Sequence, residues 1–255
     1  MQKGLSDVIR EKKPMIHMIT NYVTVKDVVN IVLAAGGTAI CADAPEEAAE
    51  ITAAADGLLI NIGTPSAKGC TAMLLAGKEA NRRGIPVVLD PVGAGASSFR
   101  DGILSQLLEQ IHFTCIRGNA TEIAALCHMG SNHSGVEAAD DFLPPECIQQ
   151  LAVKTGAIIV VTGETDIITD GKKILTEKRG TDLLKKITGA GCMLSGLICC
   201  SLAAIYMVQG EKTETVAQCI HFYNDAAEEA KQKMLVTGST GTGTFGMYLM
   251  DEISR

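Results

Sequence analysis

Tryptophan is absent from this chain and only 4% of its residues are aromatic. Its core must therefore be built from Ala, Val, Ile, Leu and Met, within a hydrophobic content of 47%. Such a composition suits helices packed on a buried parallel sheet, whose strands read as short, continuous aliphatic runs. Positive charge is also scarce: 22 Lys and Arg stand against 29 Asp and Glu, for a net charge of −7. An acidic surface repels phosphate backbones, which argues against broad nucleic-acid binding. A nucleotide can still bind at a local cluster of N–H groups and one or two cations. No C-x-x-C pair occurs, and the nine cysteines are odd in number and mostly set in apolar periodic segments. That points to free thiols in a reducing cytosol, away from a disulfide framework or structural zinc. Residues 1–14 lack the apolar core of a signal peptide, and the apolar stretch 193–209 falls short of the roughly 20 residues of a membrane span. The expected location is the cytoplasm, with no membrane contact. No Ser/Pro/Gly run, charge block or repeat divides the chain, so residues 1–255 are expected to form one domain.

Short aliphatic runs at 15–19, 38–42, 57–61, 86–89, 115–117 and 157–162 predict strands. Between them, helical periodicity covers 25–35, 46–55, 67–82, 104–110 and 121–128, mostly opening near Ser, Thr, Asp or Pro and closing at Gly. This alternation implies a mainly parallel sheet with helices on both faces. Beyond residue 162 the pattern changes. Segments 166–169 and 173–176 flank Asp170-Gly171, a hairpin signal, and helices at 192–207, 214–234 and 243–253 make a helical C-terminal third. Ligands in open α/β sheets bind beyond the carboxyl ends of the strands, so the loops after strands are the places to look for chemistry.

One such place is Thr188-Gly189-Ala190-Gly191-Cys192, which opens an apolar helix. Two glycines at a helix start free the backbone N–H groups to face an anion, and the helix dipole adds partial positive charge. A tight turn before a buried helix would look the same, and neither G-x-G-x-x-G nor a Walker-type G-K-[ST] is present. Asp90-Pro91-Val92-Gly93-Ala94-Gly95 sets a carboxylate at a strand end before a glycine loop, placed either to hold a metal or to cap a turn. In Arg117-Gly118-Asn119-Ala120-Thr121-Glu122, Asn119 and Glu122 stand three apart at a helix start, where both can face one point or simply cap the helix. Arg117 ends an aliphatic strand and wants an anionic partner. Val161-Thr162-Gly163-Glu164 offers a hydroxyl and a glycine to phosphate. Ile19-Thr20-Asn21 and Cys41-Ala42-Asp43-Ala44-Pro45 follow strands at a possible substrate end.

Taken in order, these segments resemble the hydroxyethylthiazole kinase family of the ribokinase-like superfamily. The matching runs include Ile19-Thr20-Asn21-Tyr22-Val23, Ala42-Asp43-Ala44-Pro45-Glu46-Glu47 and Leu59-Ile60-Asn61-Ile62-Gly63-Thr64, then the Asp90, Arg117, Thr162 and Thr188 segments, across about residues 14–200. The resemblance implies a ribokinase-like α/β fold and transfer of the ATP γ-phosphoryl group to the alcohol of 4-methyl-5-(2-hydroxyethyl)thiazole, a step towards thiamine. It also implies Mg²⁺ and a homotrimer with active sites between subunits. Carried over by motif, Arg117 and Thr162 would contact ATP, and Asp90, Asn119 and Glu122 would serve Mg²⁺. Gly189, Asn21 and Cys41 would line the thiazole, with Cys41 standing where the family usually has Met. The segments at 19–21 and 42–47 favour this enzyme over a hydroxymethylpyrimidine kinase or an ATP-dependent hydrate dehydratase. An idle thiazole or nucleotide sensor is the alternative from another class.

Relatives in the superfamily commonly place Asp where this chain has Cys192, to take the alcohol proton. A helix N-terminus should lower the thiol pKa below the usual value of about 8.5, giving some thiolate at neutral pH, while the charge of ATP pushes the other way. The loose transition state of phosphoryl transfer rests mainly on positioning and electrostatics, so Cys192 is expected to be a modest base beside an anion hole at 189–192.

Overall fold

The computed structural model describes residues 4–129 and 143–255. Six parallel strands carry the sheet: β1 (Met15–Ile19), β2 (Thr38–Cys41), β3 (Gly57–Asn61), β4 (Val87–Asp90), β5 (Cys115–Asn119) and β6 (Ile158–Thr162). An antiparallel pair, β7 (Asp166–Thr169) and β8 (Ile174–Glu177), extends one edge. The order across the sheet is β2-β1-β3-β4-β5-β6-β7-β8. Gly171 takes the left-handed conformation in the β7–β8 turn, where the Asp170-Gly171 signal required it.

Helices cover both faces because the central strands are apolar on both. Leu58, Ile60, Val87 and Leu89 point into one cluster, with α3 (Ala48–Ala54), α4 (Ala67–Arg83), α5 (Ser98–Gln110), α6 (Ala120–His128) and α7 (Pro145–Thr155). Leu59, Val88 and Cys115 point into the other, with α1 (Leu5–Lys12), α2 (Val25–Ala34), α8 (Ala190–Tyr206), α9 (Lys212–Thr237) and α10 (Thr242–Ile253). Thirteen of the 17 residues of α8 are buried, which makes it the central helix of its layer.

Two helices and a short 3₁₀ segment at Asp182–Lys186 lie outside the periodic pattern expected from the sequence. Helix α1 has a single buried residue, Ile9, too few for a readable stripe. Helix α7 begins at Pro145, and a proline read as a breaker is equally the first residue of a helix. Helix α5 starts at Ser98 rather than at 104, because the Ser97 hydroxyl caps it by accepting from the Arg100 N–H at 3.3 Å, ahead of the first apolar residues.

The alternation of side chains along the strands decides what stands at their carboxyl ends. Residues two apart share a face. Asn61 therefore follows Leu59, Asp90 follows Val88, and Arg117 follows Cys115, each towards α8. Thr162 likewise follows Ile158 and Val160. Asn61 and Asp90 are register partners on adjacent strands. Four polar residues thus stand in a row above the N-terminus of α8.

Candidate active site

The start of α8 carries the first half of the site. Gly189 is its N-cap with φ +84°, and a Cβ there would stand 2.7 Å from Thr24 Cγ2, so the position accepts only glycine without strain. Met193 N–H makes the first helical hydrogen bond, to the Gly189 carbonyl at 2.8 Å. The N–H groups of Ala190, Gly191 and Cys192 precede it and have no helical acceptor. No side chain among the described residues caps them. From the other side, the Tyr223 hydroxyl donates to the Ala190 carbonyl at 2.9 Å and holds the turn in place.

Arg117 lies across this turn. A Cβ on Gly191 would come within 2.3 Å of its Nη1, so only glycine lets the guanidinium sit there. Arg117 Nη2 donates to Thr162 Oγ1 at 2.5 Å, and Nη1 faces Asp90 Oδ1 at 3.8 Å. That ion pair is long. Arg117 Nε and Asp90 Oδ1 are both buried and without a hydrogen bond among the described residues. Burial pushes the Asp90 carboxyl up from its ordinary value, Arg117 opposes the shift, and Glu122 adds to it. The site thus holds an orphaned donor and an orphaned acceptor beside uncapped backbone N–H groups. It opens on a cavity of about 680 Å³ lined by Arg117, Asn119, Thr162, Gly189, Gly191 and Lys185, among others.

Asn119 and Glu122 form a reciprocal cap on α6. Asn119 Oδ1 accepts from the Glu122 N–H at 2.9 Å, and Glu122 Oε2 accepts from the Asn119 N–H at 2.8 Å. Glu122 Oε1 also accepts from the Gly93 N–H at 3.0 Å, tying the glycine loop after Asp90 to α6. The capping alternative is therefore realised in full, and each carboxylate oxygen keeps a lone pair beyond it. Among the described residues, no three His, Cys, Asp or Glu side chains cluster closely enough to enclose a metal ion.

Cys192 is buried, and its sulfur accepts from Asn61 Nδ2 at 3.2 Å and from Asn21 Nδ2 at 3.5 Å. Its pKa is pushed up to about 11, first by burial and then by the charge of Asp90. Hydrogen bonds from Thr24 and Asn61 and the charge of Arg117 pull the other way without offsetting it. The sequence leaves the helix N-terminus and the charge of ATP in balance; in the fold, desolvation outweighs the helix N-terminus and favours the protonated thiol at neutral pH.

Asn21 is buried in the same network. Its Oδ1 accepts from the N–H and the hydroxyl of Thr24 at 3.0 and 3.1 Å. Asp90, Arg117, Thr162, Gly189, Cys192 and Asn21 are therefore brought together. Cys41 is not: it ends the edge strand β2 and is exposed, two strands from Asn61. Residues to which motif reading gave no role are Asn61, Thr24 and Tyr223. The first was findable, as the last inward residue of a strand beside the one that ends in Asp90. Thr24 and Tyr223 reach the site only through helix packing.

The chain is similar to known proteins over nearly its whole length. The sequence profile of the hydroxyethylthiazole kinase family matches residues 6–255. A hydroxyethylthiazole kinase of Ruminiclostridium cellulolyticum is 40% identical over 97% of this chain and 89% of its own. One from Alkaliphilus metalliredigens is 48% identical over 76% of this chain and 72% of its own. The solved structure of a hydroxyethylthiazole kinase protein from Pyrococcus horikoshii superposes with a TM-score of 0.85 at 30% identity, covering 98% of this chain and 91% of that one. A ribokinase-like superfamily protein from Enterococcus faecalis shares the fold, with a TM-score of 0.65 at 14% identity over 97% of this chain and 93% of its own. With its profile matched from near the start to the last residue and its parallel sheet shared, the chain belongs to the hydroxyethylthiazole kinase family.

Proposed function

We propose that this chain transfers the γ-phosphoryl group of ATP to the hydroxyl of 4-methyl-5-(2-hydroxyethyl)thiazole, a step towards thiamine carried out in the cytoplasm. The observation that carries the reading is the uncapped N-terminus of α8 beside the buried, unpartnered Arg117 Nε, at the mouth of a nucleotide-sized cavity. A buried donor without an acceptor is costly, and a phosphate oxygen is the natural acceptor for both groups. In this reading Arg117 and Thr162 contact ATP. The N–H groups of residues 189–192 stabilise the phosphoryl group in transfer, where preorganised donors contribute most. The bond from the alcohol oxygen to the γ-phosphorus forms as the bond to the ADP oxygen breaks, and the alcohol proton passes to a phosphoryl oxygen and on to water.

The oxygen-rich set of Asp90, Asn119 and Glu122 suits Mg²⁺, and the orphaned Asp90 Oδ1 is the atom that most needs a cation. Mg²⁺ ordinarily takes only one or two carboxylates from the protein, with waters and phosphates supplying the rest, so no closed protein cage is required. When bound, the ion neutralises the charge of the polyphosphate. On the acceptor side, Asn21 and Gly189 border the thiazole. Cys192 stands at the hydroxyl as a protonated thiol, too weakly basic to take the alcohol proton, and a loose transition state needs little general-base help. Cys41 joins the pocket only when a second copy covers its strand end. That fits a homotrimer with sites between subunits, as do Tyr22 and Val23, 80% and 60% exposed directly beside Asn21.

The test is ADP production from ATP and Mg²⁺ with hydroxyethylthiazole as acceptor, beside calorimetry with each ligand. One observation favours a second reading, an idle binder: the acceptor-side thiol is neutral. Thiazole binding without any ADP release would establish the binder and dismiss the kinase.

A further inference from the structure

Asn61 is a buried polar residue at the strand ends that the reading above leaves without a role. It is 1% exposed and closes β3 opposite Asp90. The orientation of its amide is unambiguous. The backbone N–H of Gly63 can only donate, and it lies 2.8 Å from Oδ1, so that atom is the oxygen. Oδ1 also accepts from Asn21 Nδ2 at 3.0 Å. Nδ2 then has two protons and two acceptors, Asp90 Oδ2 at 2.7 Å and Cys192 Sγ at 3.2 Å. All four hydrogen-bonding positions of this amide are filled.

A buried asparagine could exist simply to satisfy loop backbone at a strand end. Only one of these four partners, Gly63, is backbone. The others are the metal-side carboxylate, the acceptor-side thiol and the substrate-side amide, from three separate segments of the chain. We propose that Asn61 is a positioning residue for phosphoryl transfer, holding Asp90 and Cys192 at a fixed separation and, through Asn21, setting the floor of the acceptor pocket. The inference rests on the kinase reading and adds a residue to it. Asn61 acts through its partners, and loss of alignment at a reaction centre by about 1 Å costs on the order of 10²-fold in rate.

The experiment compares wild type, Asn61→Ala, Asn61→Ser, Cys192→Ala and the double variant Asn61→Ala/Cys192→Ala. Rates are expressed per ATP-binding site counted by calorimetry, so molecules that fail to fold drop out. Asn61→Ala is expected to lower kcat about 10²-fold while KM for ATP moves less than about three-fold. Asn61→Ser, which keeps one donor, recovers part of the loss. The double variant falls no more than about three-fold below the worse single variant, because the two residues act as one unit. Fully multiplicative losses, an unchanged kcat, or loss of ATP binding in both Asn61 variants would each overturn the proposal. A wild type that makes no ADP would overturn the kinase reading with it; an active wild type with unaffected Asn61 variants would overturn this inference alone.

Discussion

At the scale of single residues, Cys192 shows how burial overrules a local rule. Its position in the first turn of α8 favours a thiolate, yet its pKa is pushed up to about 11 by desolvation and by Asp90. The consequence for catalysis is a pH profile without a thiol ionisation between about pH 6.5 and 9. Cys192→Ala should keep that profile and lower kcat by well under the roughly 10²–10⁴-fold that a general base supplies, because the thiol holds its proton. An ionisation near pH 7–8 that vanishes in Cys192→Ala would sink the assignment. The effect on stability has a definite sign. The folded thiol keeps its proton above the ordinary value of about 9, while the unfolded thiol loses it. Stability from this group is therefore complete below about pH 9 and is lost as pH rises from there towards 11. The pKa values of Cys127 and Cys219, pushed to about 11 and about 12 by burial, act in the same direction.

At the scale of elements, the first turn of α6 does two jobs with one pair of residues. The Asn119–Glu122 box satisfies orphan N–H groups of the helix and, through Gly93, holds the loop behind Asp90. Glutamine serves such a box nearly as well as glutamate. Glu122→Gln should therefore melt within about 1 kcal/mol of the wild type, the usual range of a cap change. If Glu122 also serves Mg²⁺, the same variant needs several-fold more Mg²⁺ to reach half its maximal rate. A full loss of melting stability with unchanged Mg²⁺ dependence would leave the cap as the whole of its function. Helix α8 combines two jobs differently. Its N-terminus has no side-chain cap among the described residues, which leaves it open to the proposed phosphate, and Leu197 and Ile198, with no exposed surface, anchor the rest of the helix.

At the scale of the molecule, the proposed trimer carries its own prediction. The phosphate side is enclosed by β5, β6 and the start of α8, whereas the thiazole side ends at the exposed residues Tyr22, Val23 and Cys41. A second copy covering that end is the arrangement that would desolvate the acceptor. Sedimentation velocity at micromolar concentration should then give about three times the chain mass of 26.8 kDa. Introducing a charge at the exposed site, as in Val23→Glu, should shift the enzyme towards monomer and raise KM for the thiazole while leaving ATP binding in place. A monomer that turns over at full rate would refute the shared site.

The α/β class, the parallel core, the hairpin at Asp170-Gly171 and three closing helices were all legible in the amino-acid order, because aliphatic runs and glycine stops are local signals. The positions of Asp90, Arg117 and Thr162 at the carboxyl-terminal halves of their strands, and of the 188–192 turn at the start of a helix, could be read the same way, because aliphatic runs mark those elements. Helices α1 and α7 were not legible, one for want of an apolar stripe and the other behind a proline. Electrostatics at the site was beyond local reading as well. Whether Cys192 ionises depends on how many atoms α2, β3 and α8 crowd around it, and burial of that kind exists only once the chain has folded. The role of Asn61 is of the same nature. It depends on strand parity, which can be counted, and on three distant segments meeting at one amide, which cannot.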